Sequence, residues 1–432
     1  MRPSTAVATL LLSASLAGLA ATSSLSAQRA AAPRRAPVTV IEDVQVVDVQ
    51  GQTVTPNRRV ILRGDSIFSV GTLGDRMPDT VDVRIDGRGG FLIPGLVDHH
   101  VHLTPGMTRA LVQAARGGVT MVNAMAGDNR TAGEYARAVL AGELMGPEIA
   151  YASVMAGPDF FVDPRFRGAS LGFAFGTAPW AQAVTASTDI VRAVSAARGS
   201  GAEALKLYAM IDSALAARLI VEAHQQGMRV IAHGTVFPAR PLQLVGGGVD
   251  VLTHVPYLSW QGAASIKPED SFNRANGPYE QVPADAPAIE RLLQAMRARG
   301  TYLEPTLEVF LGRPTTATGM REWSLAVTRR ALALGIPILA GTDGMIGNDA
   351  EALPNIHKEL VRLVEAGLSP GAALASATIV PARAMGRSRT HGAIAPGRVA
   401  DLVLLDANPL VDITATTRIR QVFLKGRAVR TP

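Results

Sequence analysis

"IPGLVDHHVHLTPG", residues 93–106, joins an apolar β-like run to three of the eight histidines of this 432-residue chain. Side chains alternate between the two faces of a β-strand. We therefore expect His100 and His102 to face one side, together with Asp98, and His99 to face the other as a structural neighbour. Two imidazoles at this spacing can bind one metal ion. Taken alone, the pair is a weak metal signal, and two polar residues beside a loop are the favoured interpretation.

Seven further apolar runs follow, and most of them end in a polar residue. Helical periodicity lies between most of the runs. In "AIERLLQAMRARG" (288–300) the apolar residues recur on one helix face, and Gly300 is expected to end the helix. The eight runs are 95–102, 119–124, 148–154, 204–209, 229–234, 250–255, 301–307 and 337–343. This alternation predicts an α/β fold, a (β/α)8 TIM barrel over residues 91–390, with a doubly wound open sheet as the alternative.

Four of the later runs carry a chemically active residue at or near the carboxyl end. These residues are Lys206, His233, His254 and Asp343. A (β/α)8 barrel gathers the carboxyl ends of its strands on one face, where active sites of this fold lie. The four residues and the His100/His102 pair are therefore expected to meet.

Lys206 is unusual because it lies inside "ALKLYA" (204–209), a strand that reads as buried. A buried ammonium group is costly unless it is paired or loses its proton. One interpretation is a lysine that extends its amine to solvent; the other is an N-carboxylated lysine that bridges two metal ions. Asp343 is equally open to two interpretations, a turn former or a metal ligand and general base.

Both ends of the chain read as β-structure. Short β-branched runs fill residues 38–90, and strand, turn and strand recur over residues 391–432. We expect one small, antiparallel β-sandwich domain built from both ends.

The first 27 residues have the pattern of a secretory signal peptide. Arg2 precedes an uncharged Ala/Leu-rich run, and small residues lead to a cleavage site after Ala27. We therefore expect a periplasmic or secreted protein with no stable membrane anchor after cleavage. The chain has no cysteine, which excludes thiolate nucleophiles and cysteine-based metal sites. Its net charge is +6, but Lys and Arg are scattered, so no nucleic-acid partner is expected.

The ordered motifs resemble those of the metal-dependent amidohydrolase superfamily, and within it the imidazolonepropionase-like and Xaa-Pro dipeptidase-like group. The resemblance covers residues 38–430. The motifs that carry it are "IPGLVDHHVHL", "GAEALKLYA", "VIAHG", "GVDVLTHV", "PILAGTD", "LASATIVPARAMG" and "HGAIAPGRVADLVLLDANPLVDI".

The resemblance implies a site with two divalent metal ions, Zn²⁺ first and Mn²⁺ or Co²⁺ as alternatives. His100 and His102 would hold one ion with Asp343, and His233 and His254 the other. Lys206, carboxylated, would bridge them. A bridging hydroxide would attack an amide or ester carbonyl, and Asp343 would accept its proton.

Two alternatives within the superfamily remain. A mononuclear deaminase would lack Lys206 and would carry a Glu shortly after His233, where the chain has "HGTVF". A lactonase or phosphotriesterase-like hydrolase would use the same site. One departure from the family pattern is Glu304, at a position where an apolar residue is expected. A binding protein that kept only the fold would have lost ligands, whereas all six positions are filled.

The substrate is expected to be a small molecule, such as an N-acyl amino acid or a dipeptide. The long link 155–180 and the link after the sixth run are rich in aromatic residues, and Tyr208 follows Lys206 closely. The aromatic residues either line an apolar substrate pocket, with Tyr208 as a substrate contact, or anchor their own loops. The aromatic residues of the links are Phe160, Phe161, Phe166, Phe173, Phe175, Trp180, Tyr257, Trp260, Phe272 and Tyr279. A homo-oligomer is left open.

Overall fold

A computed structural model describes residues 35–266, 277–313, 317–344 and 353–429. The predicted signal peptide and Phe272 lie outside these ranges. The β-strands are β1 (Val38–Asp48), β2 (Thr53–Arg63), β3 (Ser66–Thr72), β4 (Val83–Pro94), β5 (Leu96–Val101), β6 (Val119–Ala124), β7 (Glu148–Ala156), β8 (Thr177–Ala178), β9 (Ala181–Ala183), β10 (Ala204–Leu207), β11 (Arg229–His233), β12 (Val251–Thr253), β13 (Tyr302–Glu304), β14 (Leu402–Leu405), β15 (Ile419–Leu424) and β16 (Arg427–Val429).

Helices follow most of the barrel strands. The α-helices are α1 (Thr108–Arg116), α2 (Asn129–Leu140), α3 (Pro164–Arg167), α4 (Ile190–Gly199), α5 (Ser213–Gln225), α6 (Pro241–Gly247), α7 (Pro287–Arg299), α8 (Leu307–Leu311), α9 (Met320–Ala333), α10 (Ile356–Glu365), α11 (Pro370–Ser376) and α12 (Ile379–Ala384). In the part of the chain that the structure describes, no helix combines the length and apolar character needed to cross a membrane.

The larger sheet is a curled parallel sheet. Strands β5, β6, β7, β10, β11, β12 and β13 are neighbours in this order. The eighth run, residues 337–343, lies between β13 and β5. The amide of Leu339 donates to the carbonyl of Leu303 at 2.9 Å, and the amide of His99 donates to the carbonyl of Ala340 at 3.1 Å. The eight predicted runs thus follow one another around a (β/α)8 barrel, and the open-sheet alternative is wrong.

Apolar periodicity explains why the outer helices form. Helix α7 buries Ile289, Leu292, Leu293 and Met296 against the barrel, and Gly300 ends it in the left-handed region at φ 71°. This spacing places one apolar stripe on the face that packs inward. The helical prediction for residues 288–300 is confirmed.

The second sheet unites both ends of the described chain. Its seven strands have the order β16-β15-β14-β4-β1-β2-β3, and β14 pairs with the last residues of β4, directly before β5. A separate apolar core, which includes Ile41, Leu92 and Phe423, covers one face. The expectation of a purely antiparallel sheet is wrong in one respect, since β1 and β4 run parallel. A long connection of two strands and their turns separates β1 from β4, and this allows the parallel pairing.

Candidate metal centre

The carboxyl ends of the barrel strands bring the predicted site residues to one region. His100 lies in β5, Lys206 in β10 and His233 at the end of β11. His102, His254 and Asp343 directly follow their strands or the eighth run. Within the described residues, the side chains of His100, His102 and Asp343 form a cluster whose ligand atoms all lie within 4.8 Å of one another.

The cluster is tied together by the carboxylate of Asp343. Its Oδ1 lies 2.8 Å from Nε2 of His102 and 3.4 Å from Nε2 of His100. The two imidazole centroids are 5.5 Å apart. One carboxylate oxygen and two imidazole nitrogens therefore converge, which is a donor set that suits Zn²⁺ and other divalent transition metals.

His254, His233 and Lys206 extend the cluster. The ring of His254 lies 5.0 Å from that of His100 and 4.7 Å from that of His233. The buried ammonium group of Lys206 donates to the hydroxyl of Thr253 at 3.0 Å. The structure thus brings all six predicted residues together, while their role as metal ligands stays a prediction.

The four histidines share one orientation. In each, Nδ1 lies against a protein oxygen, and Nδ1 of His233 also accepts from the amide of Thr235 at 3.2 Å. The partners are Glu304 for His100 at 2.7 Å, the carbonyl of Ala126 for His102 at 3.3 Å, the hydroxyl of Thr235 for His233 at 2.8 Å and the hydroxyl of Thr306 for His254 at 2.8 Å. Contacts of this kind orient histidines that bind metals in proteins.

His99 does not lie where strand alternation places it. Its Nδ1 lies 2.6 Å from one oxygen of Glu304, while Nδ1 of His100 lies 2.7 Å from the other. The pairing of β5 with β6 shifts register between Asp98 and Val101. This irregularity lets neighbouring residues reach the same carboxylate, so the expectation that His99 faces away from His100 is wrong.

Burial sets the protonation of the site histidines. It lowers the pKa of His100 and His254 well below the usual range, with further contributions from neighbouring positive groups. These rings are therefore neutral near pH 7, as ligands must be. Burial also lowers the pKa of His102, but the hydrogen bond and charge of Asp343 and the hydrogen bond with the carbonyl of Ala126 together outweigh it, and the net shift is upward. Burial lowers the pKa of Lys206 to about 8, against the opposing charges of Glu304 and Asp343.

The backbone is strained at three residues that directly follow the barrel strands or the eighth run. His254, Thr306 and Asp343 adopt φ values of 68°, 50° and 53°. Residues with a β-carbon rarely occupy this left-handed region, which costs on the order of 1–3 kcal/mol each. Such residues cluster at functional sites, where surrounding contacts hold them in place.

Asp98 holds the backbone that precedes Asp343. Its carboxylate accepts from the amide and hydroxyl of Thr342 at 3.0 and 2.7 Å, and from the amide of His100 at 3.2 Å. Burial raises the pKa of Asp98 to about 8, although these hydrogen bonds favour its charged form. Asp98 thereby links β5 to the eighth run.

A cavity of about 640 Å³ opens over the cluster. Four aromatic rings line it, those of Phe166, Tyr208, Tyr257 and Phe310, together with the guanidinium group of Arg313. The rings of Tyr208 and Tyr257 lie 4.6 and 4.9 Å from that of His233. Tyr208 thus lines the cavity, and its role as a substrate contact stays a prediction.

Three of the other link aromatics anchor their own loop. Phe160, Phe161 and Trp180 are buried in a small apolar cluster. Phe173 and Phe175 are exposed. The loop-anchoring interpretation thus applies to Phe160, Phe161 and Trp180, while a substrate pocket lined by Phe166 and Tyr257 stays a prediction.

Sequence reasoning missed the residues that orient the ligands. Thr235 and Thr306 are common polar residues without any pattern that marks them. Glu304 did carry a signal, because a carboxylate at the end of a buried strand is costly without a partner. Phe310, in the short helix α8, lines the cavity but lies outside the sequence motifs and the two aromatic links.

Comparison with known proteins agrees with this fold. The Amidohydrolase family profile matches residues 271–429. A solved Xaa-Pro dipeptidase with bound methionine in its active site superposes with a TM-score of 0.69 at 20% identity, over 91% of this chain and 99% of that chain. Residues 271–429 thus match the amidohydrolase family, and the described chain shares its fold with the solved dipeptidase.

The curated relatives match over short stretches. Adenine deaminase 2 of Jannaschia sp. is 49% identical over 70 residues, 16% of this chain and 10% of that protein. Imidazolonepropionase of Geobacillus kaustophilus is 34% identical over 84 residues, 19% of each protein. The chain thus matches about a tenth to a fifth of the length of these relatives.

Proposed function

We propose that the protein is an exported, metal-dependent amidohydrolase that cleaves an amide C–N bond of a small molecule such as an N-acyl amino acid or a dipeptide. The observation that carries this proposal is the common orientation of the four histidines. Each Nδ1 contacts a protein oxygen, and the Nε2 atoms of His100 and His102 converge on Asp343. The match of residues 271–429 to the amidohydrolase family supports the reaction class.

The donor set fits two divalent metal ions. His100, His102 and Asp343 would hold one, and His233 and His254 the other. Zn²⁺ suits these nitrogen and oxygen donors, with Mn²⁺ or Co²⁺ as alternatives. Bound metal ions would supply Lewis acidity that polarises a carbonyl and lowers the pKa of an attacking water. Asp343 lies within hydrogen-bond distance of His102 and lines the cavity, so it can accept the proton of that water and pass it to the leaving nitrogen.

Lys206 is the bridging group in this proposal. Its amine is 1% exposed and its described hydrogen bond goes to the neutral hydroxyl of Thr253. A buried amine next to several imidazoles is a poor place for a positive charge. Carboxylation by CO₂ would replace that charge with a carboxylate that can ligate both ions.

The cavity supports a substrate with an apolar or aromatic part and a carboxylate. Phe166, Tyr257 and Phe310 offer aromatic faces, and Arg313 offers a guanidinium group that can pair with a carboxylate. N-acyl aromatic amino acids and dipeptides combine both features. The Xaa-Pro dipeptidase with the same fold is consistent with this choice.

A substrate panel on metal-reconstituted protein tests the proposal. N-acyl-Phe, N-acyl-Asp, N-acyl-Glu, a dipeptide, a lactone and a phosphotriester would be compared by kcat/KM. We expect the N-acyl-Phe amide to be cleaved fastest. Lys206→Ala should lower kcat by about 10²-fold or more, since metal assistance is worth several kcal/mol. Lys358→Ala, which alters an exposed lysine, is the matched control and should leave kcat unchanged.

Each alternative to this proposal predicts a different outcome of these assays. Full activity of the Lys206→Ala variant would exclude the bridging role of Lys206. A clear preference for N-acyl-Asp or N-acyl-Glu would exclude the apolar pocket. Fastest turnover of the lactone or phosphotriester would replace amide hydrolysis with the alternative activity. Export is tested separately, by sequencing the amino terminus of the protein recovered outside the cytoplasm.

A further inference from the structure

The side chain of Glu304 is fully buried between two adjacent histidines, at a position where the family pattern has an apolar residue. Its two carboxylate oxygens lie 2.6 Å from Nδ1 of His99 and 2.7 Å from Nδ1 of His100. We infer that Glu304 is a positioning residue that sets the tautomer and ring orientation of the metal ligand His100. The hydrogen bond to His99 holds the other oxygen of the same carboxylate in place. This inference rests on the metal site proposed above.

The hydrogen bonds define the tautomer of both rings. An ionised carboxylate accepts and cannot donate, so both Nδ1 atoms carry the proton and both Nε2 atoms carry a lone pair. The short distances are typical of bonds to a charged acceptor. Nε2 of His99 then faces the amide nitrogen of Asn123 at 3.5 Å. Nε2 of His100 is directed toward the Asp343 carboxylate, at 3.4 Å, where a metal ion would bind.

Steric fit restricts Glu304 further. A β-carbon added at Gly341 would lie 2.7 Å from Cβ of His100 and 2.8 Å from Oε1 of Glu304. Only a glycine on the eighth run therefore leaves room for the carboxylate beside the ligand. Glu304 can rotate little in this space, so it holds His100 in one orientation.

The negative charge of Glu304 also suits a site that binds cations. Lys206 lies within electrostatic range of Glu304. A carboxylate hydrogen-bonded to a metal-binding histidine raises the basicity of that ligand, and loss of such a partner typically lowers metal affinity about 10- to 100-fold. A carboxylate that served only to pair with His99 would have no such effect.

The test is the Zn²⁺ affinity of the Glu304→Gln variant, measured by competition with a chromophoric chelator. Glutamine keeps the size, but its amide nitrogen donates toward a ring Nδ1–H, so one of the two histidines must change tautomer or turn. We expect Zn²⁺ affinity to fall about 10- to 100-fold. The visible absorption of the Co²⁺-loaded protein should change as well. Asp401→Asn, which alters a buried carboxylate directly before β14, is the matched control and should bind Zn²⁺ as the wild type does.

A double variant keeps the test decisive where Glu304→Gln does not fold. His99→Leu/Glu304→Val replaces the buried pair with apolar residues of similar volume, which proteins often tolerate. It should fold and still bind Zn²⁺ weakly. Wild-type affinity in either variant, with an altered stability alone, would overturn the positioning role and leave the proposed function intact. Absence of metal binding by the wild type would overturn both.

Discussion

Acid should destabilise the protein through His357, which lies away from the metal centre. The ring, in α10, is 3% exposed, with Nε2 2.9 Å from the carbonyl of Gly117 and Nδ1 3.0 Å from the hydroxyl of Thr416. A neutral imidazole donates from Nε2 to the carbonyl of Gly117, while the hydroxyl of Thr416 also donates to the carbonyl of Ile413 at 2.8 Å. Burial lowers the pKa of His357 to about 4.

The magnitude follows from proton linkage. The unfolded chain binds a proton at this histidine below about pH 6.5, whereas the folded protein does so only below about pH 4. Between these values the unfolded state holds more protons, so the free energy of unfolding falls as the pH falls. From pH 7 to pH 5 the loss due to His357 should be about 2 kcal/mol.

Urea unfolding of metal-free protein at pH 7 and pH 5, followed by circular dichroism, measures this loss. His357→Gln removes the titrating ring, so its stability should fall about 2 kcal/mol less than that of the wild type over the same interval. Thr416→Val keeps the buried ring and should retain the full acid dependence. Equal acid dependence of the wild type and His357→Gln would refute the reasoning, because the other histidines titrate in both proteins.

Two further substitutions probe the centre itself. Asp343→Asn should lower kcat by about 10²- to 10⁴-fold, the usual contribution of a general base, and steady-state kinetics on the reconstituted variant would check this; unchanged kcat would exclude Asp343 as the base. Gly341→Ala should cost about 1–3 kcal/mol by overpacking against His100, with loss of bound Zn²⁺, as measured by thermal unfolding and metal analysis. Gly344→Ala, whose added β-carbon meets nothing within 4 Å, is its control, and equal stability of the two variants would contradict the steric argument.

The barrel was accessible from the sequence because its signal is local. Each strand is a short apolar run, and helices such as α7 display an apolar face at a spacing visible within one segment. A barrel brings the carboxyl ends of its strands to one face, so a polar residue at the end of a run is expected on that face. For this reason Lys206, His233 and His254 could be expected to meet, and the structure brings them together.

The second sheet shows what local sequence patterns do not predict. Its strands were recognisable one by one, but the parallel pairing of β1 with β4 depends on how the connection between them is routed. In the barrel, the register shift between Asp98 and Val101 likewise arises from the fit of β5 to β6. Strand alternation alone predicted the wrong side for His99.

The amino-acid sequence by itself determined the strand–helix alternation, the two end segments that form one sheet and the six residues that converge. Only the tertiary structure decided which groups orient them. Glu304 lies 205 positions from His99 in the chain, and its carboxylate reaches that ring and His100 because barrel closure places β13, the eighth run and β5 side by side. Hydrophobic periodicity acts within one segment, whereas a hydrogen bond needs two atoms from distant segments placed within a few tenths of an ångström.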